Sequence, residues 1–537
     1  MTYEIADAAN GLCVKMSQVF LNNLLQARSI PERINEAFMP FAVRWENLIM
    51  TEIPFGQIGV PIVLILLVCG ALFFTFYFGL VNVRHFPTAI QVVRGKYDEL
   101  EKVPHANEQR EDNPDTIKDE SHHGEVNHFQ ALTTAVSGTV GLGNIAMVAV
   151  AISIGGPGAT FWMIVAGMLG MSTKFVECTL GVRYREIDKN GRVFGGPMYY
   201  LSKGLKENGF EWLGKILAIL FAVFCVGASF GGGNAFQSNQ ASAQIISRFG
   251  LDPSYSGIIL GCIFAVLVGI VILGGVKRIG KVTEKVVPLM AGIYVLAALI
   301  IIFSNWQYID DAIAQILSEA FSPRSTIVGG IAAVMIQGFR RAAFSNEAGA
   351  GSASIAHSAV QTRYAASEGL VGLLEPFIDT VVICTLTALV IVIFNMDGAF
   401  QYGDVVDGNV LLAATGERIG GINITSMAFD HGLPGFSYIL ALSVVLFAFS
   451  TMLSWSYYGL QAWTYLFGKG EAKENLFKII FLLFTVLGAS ITLDAVIKFS
   501  DAMILALVFP NMIGLLMLFP KAKEELREYL AKIRKLK

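Results

Sequence analysis

The chain has 537 residues, of which 54% are hydrophobic and only 15% charged, with a formal net charge of −3. Soluble chains carry about 25% charged residues, so the composition excludes an ordinary soluble globular protein, and the nearly balanced charge gives no footing for nucleic-acid binding. Six cysteines without paired spacing exclude a disulfide framework and a zinc site.

Residues 1–57 form an N-terminal segment with apolar-patterned stretches near 11–25 and 35–50, broken by Arg28, Pro31 and Pro40. These read as short amphipathic helices that lie on the membrane surface or pack on the core. The segment lacks the basic start and compact apolar core of a secretory signal. A bilayer-crossing helix needs about 20 mostly apolar residues, and eleven stretches qualify: 58–82, 129–153, 160–185, 214–245, 256–275, 283–304, 327–350, 369–395, 435–466, 477–497 and 499–519. They are continuous apolar runs rather than the alternating segments of a barrel, so the expected fold class is an all-α membrane protein of about 11 transmembrane helices. Residues 83–127 form a polar linker with Pro104 and Pro114; His105, His122, His123 and His128 in or beside it read as loop histidines rather than metal ligands.

Loop charge predicts orientation. Segments 84–127, 183–215, 277–285, 340–363, 469–478 and 521–537 together hold 30 Lys and Arg, against eight on the opposite side and Lys174 inside a helix. The positive-inside rule places the basic side in the cytoplasm, with the N-terminal segment outside and the basic tail, 520–537, inside a bacterial-type plasma membrane.

Two spans carry irregularities at bilayer depth. In the second, Ser137-Gly138-Thr139-Val140-Gly141-Leu142-Gly143-Asn144 puts three glycines in six positions, each costing roughly 1 kcal/mol against alanine in a helix. Local unwinding is therefore expected, and unwound backbone in a membrane must be satisfied by protein, water or ligand. The seventh span carries the polar run Gln337-Gly338-Phe339-Arg340-Arg341 through Asn346-Glu347 to Gly351. Two broken segments five spans apart fit an inverted repeat, with 128–304 as one half, 327–519 as the other and 58–82 as an added helix. Charges also fall in or near spans: Lys174 and Glu177 read as a structural pair, while Glu375 and Asp379, four apart on one face, could pair with Arg340 or Arg341 as a gate or carry protons.

The stretches Gly138 to Ala146, Gly155-Gly156-Pro157-Gly158-Ala159-Thr160-Phe161-Trp162-Met163, Phe344 to Ser352 and Phe447 to Gly459 resemble the alanine or glycine:cation symporter family over about residues 58–520. Thr160, Ile164 and Leu460 depart from its usual pattern. The resemblance implies a leucine-transporter-type fold, a 5+5 inverted-repeat core plus one extra N-terminal helix, and symport of sodium with a small neutral amino acid by alternating access. No covalent cofactor and no enzymatic chemistry are implied. By that resemblance backbone groups near Thr139, Gly141 and Gly143 meet the substrate carboxylate; Gly338 is a further substrate-binding candidate, and from their positions Gln237 could contact the substrate's polar groups and Trp455 form an apolar wall. Asn144 offers its amide oxygen to one sodium ion, and at a second sodium position the hydroxyls of Ser450 and Thr451 with the carbonyls of Ser137 and Val140 form an all-oxygen shell. The residues also leave other readings open: buried Ser and Thr that bond back to their own helix, amides that glue helices, Trp455 as an interfacial anchor, and proton coupling, glutamine preference, a channel or a solute-sensing receptor as functions.

Overall fold

The computed structural model describes residues 30–55, 58–101, 125–189, 191–324, 327, 329–406 and 408–536. The apolar stretch 11–25 and the linker histidines His105, His122 and His123 lie outside the described residues.

Helix α1, Ile30–Ile49, runs through Pro40 without breaking, against the expectation that this proline would end it. Pro40 sits on the exposed face, where a helix tolerates a lost hydrogen bond best. The opposite face is held by tertiary contact: the rings of Phe38 and Phe41 lie 5.2 and 6.0 Å from Phe499, and Asn35 Oδ1 accepts from the Thr492 hydroxyl at 2.8 Å. Residues expected to open the first span instead form a hairpin, β1 Glu52–Phe55 with β2 Ile58–Pro61, and α2 follows as Ile62–Tyr77.

The apolar runs then fold as helices: α3 His128–Thr139 and α4 Gly143–Gly155, bent by 47° where they meet; α5 Gly158–Arg183; α6 Glu211–Phe249; α7 Pro253–Ile272; and α8 Gly275–Ser304. After the short α9, Ile309–Phe321, come α10 Gly330–Asn346 and α11 Ala365–Asp397. The last four are α12 Ile422–Gly432, α13 Ser437–Phe467, α14 Glu471–Gly488 and α15 Leu493–Leu536. Beyond the first hairpin, strands Glu186–Ile187 and Val193–Phe194 pair, and Phe400–Val406, Asn409–Leu412 and Arg418–Gly420 form a three-stranded antiparallel sheet. The fold is therefore mostly helical rather than wholly so, with its strands between the long helices.

Among the described residues seven helices, α5, α6, α7, α8, α11, α13 and α15, are long and apolar enough to cross a membrane, and eight spans result if α3 and α4 count as one. The other three expected spans differ for physical reasons. Helix α2 has 16 residues and α10 has 17, at or just below the lower end of the roughly 17–25 that cross a bilayer, and α14 opens on Glu471, Lys473, Glu474 and Lys478. The expected tail, 520–537, is no separate segment: α15 continues through Pro510 and Pro520 to Leu536, and Tyr529 packs its ring on Tyr97 and Tyr364.

Close approach explains the glycine turn between α4 and α5. Gly156 has φ +69°, and a Cβ on Gly158 would stand 2.4 Å from the backbone of Glu319 and Ala320. The α3–α4 break lies in the buried centre, with α6, α10, α11 and α13 around it.

Candidate functional site

Helix α3 begins on a capping box, with Asn127 Oδ1 accepting from the Gln130 amide at 2.8 Å and Gln130 Oε1 from the Asn127 amide at 3.3 Å. It ends at Thr139 because Val140 leaves the helical region, with ψ 86°. Side chains satisfy the freed amides. Gly141 N donates to Asn144 Oδ1 at 2.9 Å, and Leu142 N to Gln237 Oε1 at 3.1 Å. A wide turn, Gly143–Met147, then starts α4. Asn144 Nδ2 donates in turn to Asp379 Oδ1 at 2.6 Å, and Asp379 also accepts from the Ser345 hydroxyl at 2.8 Å and the Thr380 hydroxyl at 2.7 Å. One amide side chain thus ties the break to α10 and α11.

Helix α13 closes the break from another side. Thr451 Oγ1 donates to the Ser137 carbonyl at 2.9 Å, Ser137 Oγ to the Ser450 carbonyl at 2.8 Å, and Ser454 Oγ to the Thr134 carbonyl at 2.8 Å. A Cβ at Gly141 would meet Thr451 Oγ1 at 2.3 Å, so glycine here is a requirement of space. The two hydroxyls expected to work together point differently. Ser450 Oγ bonds back to Phe447 O at 3.0 Å and approaches Met290 Sδ at 3.4 Å, whereas Thr451 faces the break. Adjacent residues on a helix are about 100° apart, which is why only one of them can face Ser137. Thr139 also bonds back to its own helix, at Ala135 O, 3.3 Å.

The amides of α6 divide in the same way. Asn234 and Ser238 serve α14: Asn234 Nδ2 donates to Phe481 O at 2.6 Å and Ser238 Oγ to Thr485 O at 2.7 Å. Gln237 reaches the break, its Nε2 held by Gly232 O at 2.9 Å. Trp455 is 1% exposed, which removes the interfacial reading. Its ring lies where a Cβ on Gly233 would stand, 2.1 Å away, and its Nε1 donates to Glu347 Oε1 at 3.0 Å. Gly338 is elsewhere: a Cβ there would meet the Ala159 carbonyl at 2.7 Å and Trp162 Cβ at 2.5 Å, making it a close-packing position against α5. The polar run of the seventh span stays helical to Asn346. Only at Glu347, with φ +55°, does the chain leave the helix, continuing through Gly349 and Gly351 at φ +92° and +82°.

The buried charges choose other partners than the sequence spacing implied. Arg340 Nε and Arg341 Nη2 donate to Asp501 Oδ2 at 2.8 and 2.6 Å, and Arg340 Nη2 to Glu46 of α1 at 2.5 Å, so neither arginine pairs with Glu375 or Asp379. Lys174 pairs with Glu375, 3.2 Å away, rather than with Glu177. Glu177 Oε1 accepts instead from Asn511 Nδ2 at 2.7 Å and from Gly349 N at 2.9 Å. Asp501, Glu368 and Ser454 were not singled out by the sequence reading. A lone carboxylate in the apolar run 499–519 is the signal that would have found Asp501.

Neutral oxygens, hydroxyl, carbonyl and amide, therefore converge on unwound backbone in a buried, helix-walled centre. A family model for the sodium:alanine symporter family matches residues 46–537. The chain belongs to this family. It is similar to the sodium/alanine symporter AgcS of Methanococcus maripaludis, 38% identical over 85% of this chain and 92% of that protein. The putative sodium/proton-dependent alanine carrier YrbD and the probable sodium/glutamine symporter GlnT, both of Bacillus subtilis, are 34% and 32% identical, over 77% and 75% of this chain and 83% and 78% of theirs. The crystal structure of MhsT in complex with L-phenylalanine matches with a TM-score of 0.50 at 12% identity, over 74% of this chain and 99% of that one. The fold is that of the leucine-transporter-type carriers, and the chain is a multi-pass membrane transporter of the sodium:alanine symporter family.

Proposed function

We propose that this chain carries a small neutral amino acid, alanine or glycine, into the cell together with sodium, by alternating access around the α3–α4 break. The observation that carries this reading is the set of uncharged oxygens at the break. Thr451 Oγ1 and the Ser137 carbonyl lie 2.9 Å apart, and an all-oxygen neutral set suits a hard cation with one charge. The Ser450 and Val140 carbonyls are the remaining candidate ligands there, the Asn144 amide oxygen serves a second sodium position, and the Ser450 hydroxyl is not counted among them. Amides of the unwound segment at Gly141 to Gly143, at the start of α4, suit a carboxylate that takes over the bonds Asn144 and Gln237 make to Gly141 and Leu142. Gln237 and Trp455 line the place of the substrate's polar groups and side chain, and the indole limits its size. Gly338 falls outside this set, since it packs on α5.

The wider architecture belongs to the same proposal: eleven spans, α3–α8 and α10–α15 as the inverted halves, an outward N-terminus and an inward C-terminus in a plasma membrane. Each sodium ion entering down 100 mV supplies about 2.3 kcal/mol, enough for a gradient of roughly fiftyfold. Glutamine as substrate is favoured by the likeness to GlnT, and a part for protons by the likeness to YrbD.

Proteoliposomes holding the purified protein are expected to concentrate labelled alanine or glycine under an inward sodium gradient and not under a proton gradient alone. Accumulation driven by protons alone would overturn sodium symport, and equilibration without accumulation would mean a passive path. Thr451→Val removes one oxygen from the break. It is expected to raise the sodium concentration for half-maximal uptake by about tenfold, equal to about 1.4 kcal/mol, while Thr451→Ser keeps it within about threefold. An unchanged sodium dependence in the valine variant would remove Thr451 from the ion site.

A further inference from the structure

A line of ionisable side chains that the proposed symport does not use runs from the first residue of α3 into the centre of the protein. His128 Nδ1 bonds Glu368, whose other oxygen lies 2.5 Å from His357 Nδ1. His357 Nε2 is 3.5 Å from Glu375 Oε2, and Glu375 Oε1 is 3.2 Å from Lys174 Nζ. Lys174 in turn lies within electrostatic reach of Glu177 and of Glu347, the partner of Trp455. Cys178, on α5, faces His357, and the phenols of Tyr200 and Tyr458 close the cluster from two further elements. Arg185 faces Glu368 while donating to the carbonyls of Ser358, Val360 and Thr362.

Charge does not balance in this cluster unless protons are added. Four buried carboxylates, Glu177, Glu347, Glu368 and Glu375, face two permanent cations, Lys174 and Arg185. Helix α11 is pressed on α5 beside this line: a Cβ at Gly369 would meet Thr179 Oγ1 at 1.9 Å, and one at Gly372 would meet Cys178 Sγ at 2.8 Å. A buried carboxylate without counter-charge is costly, and the imidazoles of His128 and His357 are the groups beside these carboxylates that accept protons near neutrality. His128, with 10% of its side chain exposed, is the end of the line that meets solvent. It is also the tip of a 12-residue helix that ends at the unwound segment Val140 to Leu142.

We propose that His128, Glu368, His357 and Glu375 form a proton-binding site, loaded from the cytoplasm through His128, that must be filled for the empty carrier to close its cytoplasmic side. The idea rests on the symport reading and the orientation given above. When α3 swings about the unwound segment, His128 leaves Glu368, water reaches the carboxylates and the protons depart to the same side. Closing again dries the carboxylates, so the protons must return first. Protons are bound and released on one face and none crosses the membrane. Net uptake needs the empty carrier to close, whereas exchange of alanine for alanine does not.

The test uses right-side-out membrane vesicles with external pH held near neutrality and internal pH set at about 5.5 or about 8.5, either side of the ordinary imidazole pKa of about 6.5. Raising the internal pH is expected to slow net sodium-driven alanine uptake about fivefold or more, while alanine exchange, with sodium and alanine on both sides, changes by less than about twofold. Glu368→Gln lowers the number of protons the site requires and is expected to keep net uptake fast at the higher internal pH, a gain that a misfolded variant could not show. His357→Gln cannot take a proton at the centre of the line and is expected to give slow net uptake at both pH values with exchange retained. Equal dependence of net uptake and exchange on internal pH, or a Glu368→Gln profile identical to the wild type, would overturn the proposal. No sodium-driven uptake at either pH would overturn the symport reading and this one with it, whereas normal uptake indifferent to internal pH would overturn this one alone.

Discussion

Gly141→Ala is expected to lower sodium-driven alanine uptake by about a hundredfold, equivalent to about 2.7 kcal/mol, with the protein still inserted and folded. The added methyl would stand 2.3 Å from Thr451 Oγ1 and 3.2 Å from both Thr451 Cβ and Gln237 Oε1. Thr451 cannot retreat cheaply, since it is buried on a 31-residue helix and its hydroxyl is engaged by Ser137 O. Overpacking of this kind costs about 1–3 kcal/mol. Here it falls on the contact between the break and α13 that the proposed ion site needs. The neighbouring glycine gives the control. A Cβ on Gly143 would come no nearer than 3.6 Å to Phe344 and Ser345, ordinary contact, so Gly143→Ala is expected to stay within about threefold of the wild type. Uptake into proteoliposomes, beside sodium-dependent alanine binding in detergent, measures both. Equal loss in the two variants would mean that flexibility of the break, not space against Thr451, is what glycine supplies.

Asp501→Ala is expected to destabilise the protein by about 3–5 kcal/mol, because it leaves two buried guanidinium groups without their shared carboxylate. Asp501 and Arg341 are 1% and 2% exposed. Arg340 retains Glu46, whereas the hydrogen bond left to Arg341 among the described residues is its contact with Met147 Sδ at 3.0 Å. Thermal unfolding followed by tryptophan fluorescence, together with the yield of monodisperse protein, gives the readout. Removing the stranded charge as well, in Asp501→Leu with Arg341→Met, is expected to recover at least about half of the loss, as replacements of buried ion pairs by apolar groups do. Failure of the double variant to recover would assign Arg341 a part in transport or folding beyond its pairing with Asp501.

This cluster also accounts for α1. Glu46 reaches Arg340, which reaches Asp501 on α15, and the rings of Phe38 and Phe41 settle on Phe499 of the same helix. Helix α1 is thus bound by an ion pair, an aromatic patch and the Asn35–Thr492 hydrogen bond to elements beside the break. Sequence patterning could describe its amphipathic face but not its partner, since the partner lies more than 450 residues away.

What the sequence determined by itself follows from local physics. A low charge content and long apolar runs required membrane helices. A triplet of glycines in six residues required a broken one, and the break occurs where those glycines stand, between Thr139 and Gly143. The motifs around Gly141 and Trp455 were specific enough to suggest the family that the comparison then showed. Direction of side chains was decided only by tertiary structure, because helix phase relative to distant neighbours is not a local property. Thus Thr451 faces Ser137 while Ser450 turns to Met290, and Gln237 meets the break while Asn234 serves α14. Ion pairing was decided in the same way: a buried charge takes whichever opposite charge packing brings to it, and for Arg340 and Arg341 that was Asp501, some 160 residues along the chain, rather than Glu375 or Asp379.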